Sequence, residues 1–286
     1  MADVMGEQDL RAQHWDPIVT GFALQEYRLK QVVTIVSSSA WLESYYQETS
    51  AELAGHAQGS TVKGIPRGAA FPHGEPSWTL ATARHNKYGL QGTIFWEDMA
   101  TSNFDVVART LLRIGRGVAS AVDNEIYDGL SSGTGNTVAA AATWDATVIA
   151  NRDPIQDILN AIKLCAEDNY DMVSGSGWLL VSPKDFANLL GNANVRNAGQ
   201  FYTADVTKNG KVGRLLGLNV VVTNSVNADE AMVIIGKEAA TWKEAQPLKV
   251  VSIEDPGVKW TIRAFEVGVL QVTNPNAICT ITNTQA

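Results

Sequence analysis

The sequence predicts a mixed α+β fold, and three features support that prediction. Residues 104–128 repeat apolar side chains at helical spacing. Residues 150–235 alternate helix-like and strand-like patterns, and the last third of the chain contains three strand-like runs. With 286 residues, of which 45% are hydrophobic, the chain can bury a sizeable core as one large domain or two modest ones.

The N-terminal residues 1–30 have mixed polarity and predict an arm with little core of its own. Residues 32–37 are β-branched and predict a short strand, whereas residues 41–53 alternate aromatic and acidic side chains and are interpreted as a helix. The first ten residues are acidic and polar and do not indicate a secretory signal. No apolar run approaches the roughly 20 residues that cross a bilayer, so no membrane contact is expected.

Residues 59–96 predict a long two-stranded hairpin that projects from the body. Three prolines and six glycines interrupt this segment, and strand-like stretches at 60–65 and 77–84 flank its middle. Arms of about 12 residues would reach roughly 40 Å. Because an isolated hairpin is marginal in water, we expect its partner to lie on another subunit.

The predicted hairpin is basic although the whole chain has a net charge of −8. Between Gly59 and Tyr88, four basic residues stand against one acidic residue, a local charge of +3, and the remainder of the chain carries −11. A basic segment on an acidic body suits contact between identical copies, or the window is short and the excess accidental. The candidate interface residues are Lys63, Arg67, Trp78, Arg84 and Lys87.

The helix over 104–128 has Asn103 as its expected N-cap and Gly129 as its expected end. Its apolar face consists of Phe104, Val107, Ala108, Leu111, Ile114, Val118, Val122 and Ile126. Arg109, Arg113 and Arg116 form a basic stripe on the opposite face. This stripe is either an ordinary solvated helix face or a contact with nucleic acid or an acidic neighbour.

The remaining elements follow from local signals. Residues 131–147 are rich in Gly, Ala and Thr and predict a loop that joins two domains. Asp153-Pro154 and Ser182-Pro183 each predict a helix start, and 177–181, 218–223 and 231–235 predict apolar strands. The closing strands are expected at 248–253, 259–272 and 277–282.

No pattern in the sequence indicates catalysis, so no enzyme, cofactor or metal is predicted. The four histidines lack ligand spacing, and the Gly-rich string at 131–136 lacks the Lys-Ser/Thr of a phosphate loop. Cys165 and Cys279 lie in apolar segments and are expected to be buried free thiols rather than a disulfide. The rival interpretation, an unrelated α/β enzyme, would require a convergent pocket with perturbed carboxylates.

The order of these elements resembles that of the Hong Kong 97-type major capsid proteins over roughly residues 30–286. FWEDMATSNFDVVARTLL (95–112) is similar to the family's approach to its spine helix, and NEIYDGLSSGTG (124–135) is similar to the glycine loop that follows. The other matching strings are GWLLVSPKDFANLL (177–190), GRLLGLNVVVTNSV (213–226), AMVIIGKEAATW (231–242) and RAFEVGVLQVTNPNAICTI (263–281).

This resemblance implies an α+β Hong Kong 97-like fold, divided along the chain. The implied parts are an N-terminal arm (1–30), the start of the peripheral domain (31–58), the extended hairpin or E-loop (59–96), the spine helix and joint of the peripheral domain (97–149), an α/β axial domain (150–250) and the closing strands of the peripheral domain (251–286). A hairpin Lys forms a covalent cross-link in some members, but no Asn or Glu partner aligns here, so none is predicted.

The resemblance also implies a function. The chain would be a structural major capsid protein that self-assembles as pentamers and hexamers into an icosahedral shell around double-stranded viral DNA. It would be located in the virion and assembled in the host cytoplasm, with loose contact to the packaged DNA. Portal, scaffold and decoration proteins would be further partners. The alternative with the same fold is an encapsulin-like nanocompartment that encloses a cargo enzyme.

Overall fold

The computed structural model describes residues 18–19, 23, 26–48, 65–70, 78–101, 106–168, 170–172, 176–192, 195 and 214–286. Within these residues the chain forms three sheets and helices that pack on two of them. The strands are β1 (Thr34–Ser37), β2 (Leu42–Glu48), β3 (Trp78–Arg84), β4 (Asn86–Phe95), β5 (Asn136–Ala139), β6 (Gly177–Val181), β7 (Arg214–Leu215), β8 (Leu218–Val222), β9 (Glu230–Ile235), β10 (Ala240–Asp255), β11 (Lys259–Val272) and β12 (Ile278–Thr282). The helices are α1 (Trp96–Thr101), α2 (Val106–Ser132), α3 (Pro154–Glu167) and α4 (Pro183–Gly191), with short 3-10 turns at Leu29–Gln31, Ile149–Asn151 and Pro275–Ala277.

A four-stranded sheet in the order β1-β10-β11-β4 packs against the long helix α2. The predicted apolar stripe of this helix is buried from Leu111 to Ile126, and burial continues to Leu130. The prediction that Gly129 ends the helix is wrong, because α2 continues to Ser132. Instead, a Cβ at Gly129 would lie 2.7 Å from the Leu270 side chain, so glycine allows helix and strand to approach closely. Phe104 and the expected N-cap Asn103 lie outside the described residues.

A six-stranded sheet in the order β5-β12-β9-β6-β8-β7 forms the other half of the core, with α3 packed against it. Both predicted helix starts are confirmed. The Asp153 carboxylate accepts a hydrogen bond from the Gln156 N–H at 3.3 Å, and the Ser182 hydroxyl accepts one from the Asp185 N–H at 3.1 Å. Cys165 and Cys279 are buried free thiols, as expected.

The two-stranded sheet corrects the predicted hairpin. β3 pairs in antiparallel register with β2 along its whole length. Of the stretch 60–65, predicted as the other arm, residues 60–64 lie outside the described residues. Residues 42–48 are therefore a strand and not part of a helix. β4 is part of the predicted hairpin segment, but it pairs with β11 over residues 86–95 and belongs to the four-stranded sheet. We call the β2–β3 pair the ribbon.

Two further corrections concern the sheets. The predicted loop at 131–147 contains β5, which pairs in parallel with β12 at the edge of the six-stranded sheet. The predicted boundary at residue 250 does not follow the sheets, because β10 lies entirely in the four-stranded sheet and β12 lies in the six-stranded one. Among the described strands, the chain thus crosses between the two sheets three times: through α2, after β9 and after β11.

Candidate subunit interfaces

The ribbon has one face that its own chain leaves uncovered. Its register places Tyr46 opposite Leu80 and Leu42 opposite Arg84, so these four side chains share one face. Tyr46 is 64% exposed and Leu80 is 59% exposed, values unusual for large apolar side chains in a regular sheet. The other exposed residues of this outer face or next to it are Trp41, Ser44, Trp78 and Thr82.

Contacts at both ends of β2 hold the ribbon against the body. At one end, the Glu43 carboxylate accepts hydrogen bonds from the Ser38 hydroxyl and from Gln271 Nε2, the latter at 2.9 Å. At the other end, the Glu48 N–H donates to the Thr273 carbonyl at 2.9 Å. The hydrogen bond from Ser38 is the main reason why the pKa of Glu43 lies below its usual value, so the carboxylate stays charged at this anchor. The inner face is thereby fixed towards β11, and the outer face points away from the body.

The junction between β3 and β4 contains a buried histidine. The His85 N–H donates to the Trp41 carbonyl at 3.1 Å, and its imidazole Nε2 lies 3.8 Å from the Glu43 carboxylate. Neither ring nitrogen has a hydrogen-bond partner within the described residues. The imidazole is thus buried where β3 of the ribbon meets β4 of the body.

The five predicted interface residues do not form one cluster. Trp78 and Arg84 are both exposed on the outer face of the ribbon. Arg67 is exposed in a separate described turn, where the Ala69 N–H donates to the Pro66 carbonyl at 3.0 Å. Lys87 lies on β4 in the body, with its ammonium 4.3 Å from the Phe265 ring centroid. Lys63 lies outside the described residues.

Sequence reasoning missed the β2 half of this surface. The sequence-based interpretation of residues 41–53 is a helix, although Leu42 and Tyr46 alternate with Glu43, Tyr45 and Gln47. That period-two alternation, together with two adjacent tyrosines, is the signal that could have identified the strand.

The predicted basic stripe on α2 is exposed, but its three arginines differ in their surroundings. Arg116 Nε donates to the Glu26 carboxylate at 2.7 Å, so it binds the N-terminal segment. Arg109 and Arg113 line a groove of about 420 Å³ between α2 and β4. The groove is narrow at its floor because a Cβ at Gly92 would lie 2.7 Å from the Ile114 and Thr110 side chains.

A buried polar network attaches residues 26–31 to the body. The carboxylate of Glu266, which is fully buried, accepts hydrogen bonds from the Tyr27 hydroxyl at 2.5 Å and from Trp242 Nε1 at 3.2 Å, and it pairs with the Lys30 ammonium. The Asp123 carboxylate accepts from the Arg28 N–H at 2.8 Å and from the Leu29 N–H at 3.3 Å. Burial raises the pKa of Asp123 to about 6 despite these donors.

The buried acids of the six-stranded half also have structural partners. Asp157 accepts hydrogen bonds from Trp144 Nε1 at 3.0 Å and from the Ala141 N–H at 3.3 Å. Asp185 accepts from Ser182, Thr284 and Gln285 side chains. Among the described residues, no group of three or more His, Cys, Asp or Glu side chains is placed to hold a metal ion. No described helix is long and apolar enough to cross a membrane.

Comparison with known proteins shows the family and the fold of this chain. Residues 79–281 match the family model described as phage capsid protein. This match covers most of the chain, and the protein belongs to that family. No curated protein sequence matches the chain.

Solved structures show the same fold at low sequence identity. A virus-like particle from Pyrococcus furiosus shares 12% identity, with a TM-score of 0.63 over 95% of this chain and 99% of that one. The capsid of the cyanophage P-SCSP1u shares 12% identity, with a TM-score of 0.65 over 90% of this chain and 88% of that one. The capsid of a native GTA particle shares 15% identity, with a TM-score of 0.64 over 91% of each chain.

Fold and family together identify a structural capsid protein with a Hong Kong 97-like fold. Its place is the capsid of a virion, where copies of the chain associate with one another. The encapsulin-like alternative shares the fold but is not favoured, because the family model is that of phage capsid proteins.

Proposed function

We propose that this protein assembles through its ribbon into pentamers and hexamers, which close into an icosahedral shell around double-stranded DNA in the host cytoplasm. The observation that carries this proposal is the uncovered outer face of the ribbon. A monomer would leave Tyr46, Leu80, Trp78 and Trp41 in water on a surface that is held away from its own core. Burying one such side chain against a neighbour contributes about 1.5–3 kcal/mol.

The ribbon contact would be repeated at every subunit of a ring. The outer face is different from the body surface that it would cover, so the contact joins two unlike patches and closes into rings when the rotation between subunits allows it. The aromatic centre and the Arg84 rim match the composition of stable protein interfaces.

The chain would have a peripheral and an axial domain whose limits follow the two large sheets. The peripheral domain would consist of α2 and the four-stranded sheet, and the axial domain would consist of the six-stranded sheet with α3 and α4. The axial domains would converge at the centres of pentamers and hexamers. The chain is acidic overall, with a net charge of −8, which suits loose contact with packaged DNA because tight binding would oppose packing and release. Portal, scaffold and decoration proteins would be further partners.

Size-exclusion chromatography with light scattering, followed by negative-stain microscopy, tests the proposal on the full chain expressed alone. Rings of five and six subunits, or closed particles, are expected. Nucleic acid inside particles formed in infected cells would support a viral shell, whereas a protein cargo would support the nanocompartment. A species of 30.8 kDa that stays monomeric at high concentration and high salt, even with the other virion proteins present, would contradict the proposal.

A further inference from the structure

The core of the six-stranded half holds the two cysteines of the chain side by side. Cys165 lies near the C-terminal end of α3, Cys279 lies on β12, and both side chains are fully buried. Helix α3 packs directly on β12, and the two thiols hydrogen-bond to each other. The two sulfur atoms are therefore in direct contact, which is the starting geometry for a disulfide.

A separate set of polar contacts holds the two elements that carry the cysteines. Asn136 on β5 lies beside Cys279 in the parallel ladder, and its amide donates to the Asp168 carboxylate at 2.8 Å and to the Asn276 carbonyl at 3.2 Å. Asp168 is the C-cap of α3, three residues after Cys165, so these bonds fix the end of the helix over β12. The same amide contacts the Cys165 thiol. Because Asn136 is only partly buried, the cysteine pair lies one residue beneath the surface.

The two thiols differ in how readily they ionise. The hydrogen bond from the Cys165 thiol lowers the pKa of Cys279, because it stabilises the Cys279 thiolate. The same bond, together with burial, raises the pKa of Cys165. The thiolate is the reactive form of cysteine, so Cys279 has the character of an attacking thiol. Cys165 then stands where a resolving cysteine stands in a redox-sensitive pair.

We propose that Cys165 and Cys279 are a modification site, which a small peroxide converts into an intramolecular disulfide between α3 and β12. This inference goes beyond the shell function, and only the timing of the reaction rests on that function. Thiols persist in a reducing compartment such as the cytoplasm, and disulfides persist in oxidising surroundings. Subunits would therefore assemble with both thiols reduced and gain the cross-link after the particle has left its host.

The reaction balances with hydrogen peroxide as the oxidant. The Cys279 thiolate attacks one peroxide oxygen, the O–O bond breaks, and the departing hydroxide takes up the proton that the thiol lost and becomes water. Cys279 then carries a sulfenic acid. The Cys165 sulfur attacks the Cys279 sulfur and forms the S–S bond, and the hydroxyl group leaves with the Cys165 proton as a second water. Two thiols and one peroxide thus give one disulfide and two waters.

The cross-link would stabilise the folded subunit. The two cysteines are about 115 positions apart, and a disulfide that closes a loop of this length removes much conformational entropy from the unfolded chain. The loop contains β6 to β11 and with them two of the crossings between the large sheets, after β9 and after β11. One bond would therefore hold together parts of both sheets.

Peptide mass spectrometry tests the bond directly. The full chain is purified in a reducing buffer, freed of reductant, treated with hydrogen peroxide, alkylated while unfolded, and digested without reduction. We expect one linked peptide pair that contains Cys165 and Cys279 and is lighter by two hydrogens than the two reduced peptides together. Two alkylated thiols, or a sulfinic acid on either cysteine without the linked pair, would overturn the proposal.

Thermal melting followed by circular dichroism tests the effect on stability. The melting temperature of the wild type should rise by at least about 5 °C after peroxide treatment and return to its starting value with dithiothreitol. Cys165→Ala and Cys279→Ala are the matched controls, because both keep the methionines that peroxide also oxidises. Neither should gain stability from the treatment. An equal rise in the single variants would overturn the role of the disulfide.

Trapping with dimedone, a reagent for sulfenic acids, tests the order of attack. Peroxide treatment of Cys165→Ala should leave a sulfenic acid on Cys279 that dimedone labels when it is present during subsequent unfolding. Cys279→Ala should be labelled at least tenfold less. Stronger labelling of Cys165 in the second variant would contradict the assignment of Cys279 as the attacking thiol.

The outcomes separate this inference from the proposed function, because the bond forms within one chain and is expected in a monomer as well as in a particle. If particles form but peroxide gives no linked peptide, the disulfide is wrong and the shell function stands. If the linked peptide forms in a chain that never assembles, the disulfide stands and the shell function is contradicted.

Discussion

The ribbon and the four-stranded sheet both have strands that alternate in burial along the chain, but their apolar faces are covered differently. In the sheet, α2 covers one face with the apolar stripe from Leu111 to Ile126, and Trp242 is fully buried. In the ribbon, β2 and β3 alternate in the same way, yet Tyr46 and Leu80 remain more than half exposed. The sheet is thus completed within one chain, whereas the ribbon needs another. Alternation favours a strand in both regions, and the available partners determine whether its apolar face is core or interface.

Removing a tryptophan from each region should separate the two roles most strongly. Trp242→Ala leaves a cavity beside Gly268 and removes the hydrogen bond to Glu266, so the free energy of unfolding should fall by about 3–5 kcal/mol. Trp41→Ala is the matched control, because Trp41 is 66% exposed, and its effect should stay within about 0.5 kcal/mol. Urea unfolding measures both. Equal losses would show that the ribbon belongs to the monomer's core.

Glu266 should contribute nearly as much as Trp242 to the free energy of unfolding, although its side chain is polar. Glu266→Ala removes the fully buried carboxylate that pairs with the Lys30 ammonium and accepts from Tyr27 and Trp242, and it leaves that ammonium only the partly exposed Glu244 carboxylate at 3.2 Å. We expect a loss of about 3 kcal/mol in unfolding free energy. Glu238→Ala, at an exposed position, is the control and should have little effect. A loss below 1 kcal/mol for Glu266→Ala would mean that the Glu266 network contributes little to the docking of residues 26–31.

Asp123 should make the free energy of unfolding depend on pH, with a stabilising contribution that is lost as the pH rises. Its pKa is raised to about 6 in the folded chain, from about 4 when unfolded, so its contribution to stability is present below pH 4 and is lost as the pH rises through 6. The loss should reach about 3 kcal/mol at most. Urea unfolding of the wild type and of Asp123→Asn from pH 4 to pH 7 measures the difference, which should shrink or change sign towards high pH. A constant difference across that range would contradict the raised pKa.

The features that the sequence predicted well are those fixed by near neighbours in the chain. The α2 stripe repeats every three or four residues, and the caps at Asp153 and Ser182 act within one turn. The long strand β11 has the predicted bounds 259–272 because turn residues flank it on both sides. Such signals need no knowledge of distant contacts.

The features that could not be predicted from the sequence depend on pairing between distant segments. β3 pairs with β2, which lies about 35 residues earlier, and no local pattern predicts that pairing. β5 is a four-residue strand in a Gly/Ala/Thr-rich stretch and is defined by its contact with β12. For the candidate site, Trp78 and Arg84 were predicted from the hairpin pattern, but Leu42 and Tyr46 required the register.

The most direct test of the account compares assembly and stability in one ribbon variant, Tyr46→Ser with Leu80→Ser. Both side chains point away from the body, so the free energy of unfolding should change by no more than about 0.5 kcal/mol per substitution. Particle yield, measured by light scattering and negative-stain microscopy, should fall at least tenfold. Ser44→Ala with Thr82→Ala, a cross-strand pair on the same face, is the control and should assemble normally. Normal particles from the Tyr46/Leu80 variant would contradict the claim that the ribbon carries the contact between subunits.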